Sequence, residues 1–261
     1  MSNMSETIAT LRPRFEHAIT PAALRMYLAE FLSTFFFVFA ATGSAMSSRK
    51  LMPEAPVIDP SSLIVSAIAT AFALTAAVYL AVNVSGGHVN PAVTFGMAVG
   101  GHISIPLAIC YTLSQMLGSV FACMILRFMT VSVNVPVHEI PEEMTGFGAS
   151  FLEGVMTFVL VYTVYAAGDP RRGAFGTVGP LMIGLIAGAN VLASGPFTGG
   201  SMNPAYSFGC SVVGGSFRNQ AVYWIGPLIG AGAASIVYDN VVFPSQSPED
   251  NIRGVTDGIG V

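Results

Sequence analysis

Charge is what this sequence has least of. Asp, Glu, Lys and Arg make up 9% of its 261 residues, where a water-soluble domain carries about 25%. Pro60 to Leu126 contains none of them, and Gly173 to Phe217 and Asn219 to Tyr238 are equally bare. A water-facing surface cannot be assembled from such stretches, which excludes a soluble globular domain. Cysteine is also scarce: Cys110, Cys123 and Cys210 stand in apolar surroundings without paired or metal-type spacing, so three free packing thiols are expected. Six of the 14 acidic residues behind the formal net charge of −4 gather in the C-terminal tail and at 139–143, and no basic stripe suggests nucleic acid. No nucleophile and base pair, metal cluster or phosphate loop has a recognisable spacing. Neither an enzyme nor a cofactor is therefore expected.

What is present is hydrophobic length: 53% of the residues are hydrophobic and the mean hydropathy is +0.68. Crossing a hydrocarbon core of roughly 30 Å takes about 20 apolar residues in a helix. Six stretches qualify, at 22–46, 61–82, 105–128, 147–167, 177–194 and 219–242. Two further helical pieces, 90–100 and 203–213, are too short to span. The expected organisation is an N-terminal tail 1–21, a membrane domain 22–243 with halves 22–128 and 147–243, and a C-terminal tail 244–261. The first apolar run lacks a cleavage pattern and is followed by more spans, so it is read as a retained span rather than a signal peptide. Arg12, Arg14, Arg25, Arg171, Arg172 and Arg253 fall on one side of this layout, against Arg49, Lys50, Arg127 and Arg218 on the other. That excess favours both tails in the cytosol.

The short pieces carry a repeat. Residues 85–96 read SGGHVNPAVTFG and residues 198–209 read TGGSMNPAYSFG, identical at seven of twelve positions. The helices before them also correspond, Glu30 in AEFLSTFFFVFAATG matching Glu153 in LEGVMTFVLVYTVYAAG. Each half thus holds three crossings and one re-entrant piece. Because three is odd, the second half enters from the opposite face, an inverted repeat. The expected fold is all-α: six transmembrane helices plus two re-entrant half-helices. Irregular backbone is tolerated at membrane depth only when buried in protein or lining a water-filled cavity. The boxes Asn90-Pro91-Ala92 and Asn203-Pro204-Ala205 are therefore expected to border a pore.

Asn caps a helix well, and Pro suits the first turn, where its missing N–H costs nothing. Each Asn oxygen then holds the helix end while its NH₂ group remains a donor toward passing molecules. The positive dipole ends of both half-helices converge, which repels cations but not water or small neutral solutes.

These boxes, with VYTVYAAGDPRRG and AGANVLASGPFTGGSMNPA, resemble the aquaporins of the major intrinsic protein family over 22–243, most closely the plant tonoplast intrinsic branch. The resemblance implies a passive channel in the lipid bilayer of the vacuole or another endomembrane. It also implies a homotetramer, or a heterotetramer with related subunits, having one pore per subunit. It further implies a second constriction at Thr70, Val191, Gly200 and Tyr206. Most members have Arg at the last position. Tyr206 replaces a fixed charge and a rigid fork of donors by one hydroxyl, which lowers the barrier to cations. The sequence admits two placements of its ring, across the passage or swung aside against protein. Water is expected to pass, with urea, ammonia and hydrogen peroxide as candidate solutes. A glycerol-type facilitator is less consistent with Ser207, where that branch usually has Asp.

Glu30 and Glu153 are either loop-supporting acceptors, as the resemblance implies, or groups snorkelling from helix ends. His138, 15 residues before Glu153, is a candidate for the pore mouth or a surface residue. His88 and His102 flank the first short helix as hydrogen-bonding or packing groups. Gly43, Gly118, Gly184, Gly188 and Gly232 let helices approach, and Phe35, Phe36 and Phe37 read as bulk facing lipid or neighbours. An ion-coupled secondary transporter would share the inverted repeat, but apart from the two glutamates its spans carry no candidate ion site.

Overall fold

Proline marks where most of the helices begin. The computed structural model describes residues 18–52, 59–130, 133–171 and 178–243; Arg12, Arg14, Arg172, Arg253 and most of both tails lie outside the described residues. Helix α1 (Pro21–Leu51) starts after Thr20, whose hydroxyl accepts from the Ala23 amide at 3.2 Å. Helix α2 (Pro60–Ser85) starts after Asp59, which accepts from the Ser62 amide at 3.0 Å. The same cap-then-proline pattern opens α3 (Pro91–Val99) and α7 (Pro204–Gly214) after Asn90 and Asn203. Ser104 and the proline at position 106 open α4 (Ile105–Met129), and Thr145 caps α5 (Gly146–Gly168). Helix α6 (Gly179–Thr198) follows, and α8 (Val222–Ile236) closes the series, widening into a π-helical turn over Val237–Val242.

Six of these helices are long and apolar enough to cross a membrane, counting α8 through Val242. Two helix ends, those of α1 and α6, lie furthest beyond the sequence expectation. Helix α1 runs past residue 46 to Leu51 because its last turn, though polar, places Arg49 and Lys50 against the negative end of the helix dipole. Helix α6 runs past Ser194 and Pro196 to Thr198. A proline in the final turn removes only one amide, and Gly199, at φ +80, supplies the left-handed stop.

The two halves interlock. Within each half the first span packs on the second and the last, α1 on α2 and α4, α5 on α6 and α8. The half-helices cross over: α3 packs chiefly on α8 and α7 chiefly on α4, while α2 and α6 meet at the centre. Small residues set these approaches. A Cβ at Gly118 would land on the Phe31 carbonyl, and one at Gly188 would come within 2.8 Å of the Ala67 carbonyl oxygen. The exterior is apolar, while polar groups are buried among the apolar core: Phe128 and Phe147 are 85% and 83% exposed, whereas Glu30 and Glu153 are 0% exposed. Such an exterior is stable only against hydrocarbon.

Candidate functional site

The short helices begin in matched, strained turns. Gly86 and Gly87 have φ of +91° and +65°, and Gly199 and Gly200 have +80° and +65°. Val89 and Met202, the residues just before the two asparagines, also adopt left-handed φ, +58° and +52°. A branched or long side chain in that region costs on the order of 1–3 kcal/mol, so it persists only when the surroundings hold it.

The buried glutamates do the holding. Glu30 accepts from the Ser85 hydroxyl at 2.6 Å and from the His88 and Val89 amides at 2.9 and 2.7 Å. Gln115 donates to it as well, at 2.8 Å. Glu153 repeats the pattern, accepting from the Thr198 hydroxyl at 2.6 Å and from the Ser201 and Met202 amides at 3.1 and 2.7 Å. Tyr111 and Tyr223 complete the symmetry, each donating at 2.9 Å to the carbonyl of Ser85 or Thr198. The sequence reading overlooked Ser85, Thr198, Tyr111 and Gln115. A signal existed for the first two, since each hydroxyl lies five residues before its Asn.

At the tips the two boxes meet. The Asn90 side-chain oxygen accepts from the Ala92 amide at 2.8 Å, and that of Asn203 from Ala205 and Tyr206 at 3.0 and 3.3 Å. Each NH₂ group reaches across to the other half, Asn90 donating to the Met202 carbonyl at 2.9 Å and Asn203 to the Val89 carbonyl at 3.0 Å. An amide nitrogen carries two hydrogens. One of each pair therefore binds the halves together and one remains, fewer than the sequence reading had allowed for passing molecules. Pro91, Ala92, Pro204 and Ala205 are buried behind the tips.

Thr70 on α2 and Val191 on α6 are buried, each three residues beyond the close contact of Ala67 with Gly188. Gly200 has no room for a side chain: a Cβ would come within 2.8 Å of the Ser194 hydroxyl and 3.1 Å of the Val191 Cα. Tyr206 is half-buried, its ring edge-on to Phe37 with centroids 5.3 Å apart and to His138 at 4.6 Å. The ring thus lies against protein, between α1 and the 133–145 segment. His138 sits over Gly199, where a Cβ would come within 2.9 Å of its ring, and its centroid is 5.6 Å from that of Tyr223. Phe37 is a partner of Tyr206 that a run of three phenylalanines could not single out. The thiols are free, yet Cys123 and Cys210 have their sulfurs 3.9 Å apart, a proximity no spacing revealed.

Where α5 and α8 end, a cavity of about 710 Å³ is lined by Met97, His102, Tyr165, Asp169, Arg171 and Asp239 among others. His102 pairs with Asp239 at 3.0 Å. Asp169 is gripped by the Arg171 guanidinium and receives the Tyr238 hydroxyl at 2.7 Å, which together hold its carboxyl well below the usual carboxylate range. His88 is buried, with its Nδ1 3.1 Å from the Thr94 hydroxyl.

The chain is similar to known proteins. The family model described as major intrinsic protein matches residues 17–238. A protein named probable aquaporin TIP5-1 of Arabidopsis thaliana is 58% identical over 248 residues, covering 95% of this chain and 96% of its own length. Aquaporin TIP2-1 of the same plant is 50% identical over 233 residues, covering 89% and 93%. The solved structure of the aquaglyceroporin from Plasmodium falciparum aligns with a TM-score of 0.74 at 20% identity, over 88% of this chain and 99% of that one, a likeness of fold alone. With its paired boxes, inverted halves and these relatives, the chain belongs to the major intrinsic protein family, in its plant TIP branch.

Proposed function

We propose that the two half-helix tips border a single-file passage in which Asn90 and Asn203 each present one amide hydrogen, with Thr70, Val191, Gly200 and Tyr206 forming the selectivity filter nearer one mouth. The chain is a passive multi-pass channel of the vacuolar membrane for water and small neutral solutes. The observation that carries the site assignment is the reciprocal pair of Asn-to-carbonyl bonds between the boxes. It fixes two positive helix ends toward each other, and their combined potential disfavours cations at the centre. Glu30 and Glu153 act as loop supports, and His138 stands at the pore mouth beside the filter.

Tyr206 brings a phenol where a guanidinium would add charge. Urea, ammonia and hydrogen peroxide are the solutes this neutral filter favours alongside water. Both tails face the cytosol, and four subunits assemble with a pore in each, as homotetramer or heterotetramer.

Purified protein in liposomes tests the reading by stopped-flow shrinkage in matched gradients of impermeant osmolyte, urea and glycerol. Water and urea permeability should rise without saturating and without an ion gradient; strict dependence on sodium or protons would overturn it. Tyr206→Arg should lower urea and ammonia passage and proton leak together. If all three stay unchanged, Tyr206 does not set selectivity.

A further inference from the structure

Cys123 on α4 and Cys210 on α7 are 87 residues apart in sequence, yet both are buried with their sulfurs 3.9 Å apart. The reason is the contact one turn away. Gly209 lies flush against Ser119, four residues before Cys123, where any side chain at 209 would occupy the same space. That close approach brings the next residue of α7 against the next turn of α4. A disulfide needs sulfurs about 2.05 Å apart on Cα atoms about 4.4–6.8 Å apart. Two thiols already in van der Waals contact, on helices that meet at a glycine, must close from 3.9 Å to that bond length to join. The Thr42 hydroxyl, 3.6 Å from the Cys210 sulfur, is the contact such a shift would break.

The pair is also placed to be felt. Cys210 follows Tyr206 by one helical turn on α7, and the Tyr206 ring packs edge-on against His138. Movement of one is transmitted along a short rigid helix to the other.

We propose that Cys123 and Cys210 form a peroxide-oxidisable dithiol, and that their bridge ties α7 to α4 so that the Tyr206 ring shifts from its place between Phe37 and His138 and narrows the filter to solutes larger than water. One thiolate attacks hydrogen peroxide: an S–O bond forms, the O–O bond breaks, and the departing hydroxide takes up the thiol's proton as water. The second thiolate then attacks the sulfenic sulfur. The S–S bond forms, the S–O bond breaks, and the second hydroxide leaves as water with the second proton. Two thiols and one peroxide give one disulfide and two waters. The bridge itself is independent of the filter assignment; its effect on conductance rests on that reading of Tyr206.

The test uses the full chain in liposomes exposed to hydrogen peroxide, then denatured and alkylated. Two of the three thiols should escape alkylation, and a reducible cross-linked peptide should join Cys123 to Cys210, while Cys110, half-buried beside Tyr27, remains free. Urea permeability should fall more than water permeability, and a phosphine reductant should restore both. Cys123→Ser and Cys210→Ser should conduct like the untreated protein and ignore peroxide, whereas Cys110→Ser should respond in full. The proposal is overturned if both thiols remain alkylatable at peroxide concentrations that oxidise Cys110, or if the bridge forms and urea permeability does not move. Failure of the filter reading is separately visible, because Tyr206→Arg is measured on the reduced protein.

Discussion

Replacing Glu153 by Ala removes the one side chain that accepts from the Thr198 hydroxyl and from the Ser201 and Met202 amides. The hydroxyl can turn elsewhere, but the two amides sit in a buried turn. Each buried donor left without a partner costs about 1–3 kcal/mol, so the pair costs about 4 kcal/mol. The strain at Met202 is then unopposed, and relaxing it to negative φ moves Asn203, the next residue, away from the Val89 carbonyl. Stability and conduction should therefore fall together. The unfolding temperature in detergent should drop by roughly 10 °C, and water permeability per folded channel should be largely lost. Glu153→Gln separates charge from acceptor geometry. Its one oxygen still serves Thr198 and Ser201 and orphans only Met202, for about 1–3 kcal/mol. Both quantities should then lie between wild type and Ala. If the Ala variant melts and conducts like wild type, or if Gln is as damaging as Ala, the carboxylate does not hold the turn and the reasoning fails.

Other consequences are equally open to measurement. Asn90→Ala or Asn203→Ala loses a cap worth about 0.5–2 kcal/mol together with one bond between the halves; either should raise proton leak in liposomes under a pH gradient, and unchanged leak in both would remove the central barrier from those tips. Gly188→Val should abolish the folded channel, scored by monodispersity in detergent, since its Cβ would meet the Ala67 carbonyl of the facing helix at 2.8 Å; a well-behaved, conducting variant would refute the close α2–α6 contact. The lowered pKa of Asp169 makes its contact with Arg171 fully present above the ordinary carboxylate range and lost only as pH falls through the still lower folded value. Between pH 5 and 8 it does not titrate, so any change of permeability in that window should persist in Asp169→Asn; its disappearance there would assign the pH response to this contact.

The family and the six spans were legible because their signals are local. A charge-free run of about 20 residues has few options other than crossing lipid. An Asn-Pro pair after two glycines states its own turn and cap, and its second copy after an odd number of crossings states the inversion. Thr70, Val191, Gly200 and Tyr206 could be numbered from the boxes, and the structure puts Thr70 and Val191 beyond a helix contact made by small residues. The direction of the Tyr206 ring was another matter. It depends on Phe37 in another helix and His138 in a connecting segment, and neither position carries a pattern that points to position 206.

What the sequence determined alone was the set of helices, their caps and their left-handed stops, all of which follow from interactions among residues a few positions apart. The tertiary structure decided the rest: which carbonyl each Asn amide reaches, which hydroxyls share the buried glutamates, and which two of three thiols touch. Those bonds join residues 45 to 114 positions apart, and their geometry is fixed by how far the small residues let rigid helices approach. That distance is a property of packed surfaces, and no single segment of the chain contains it.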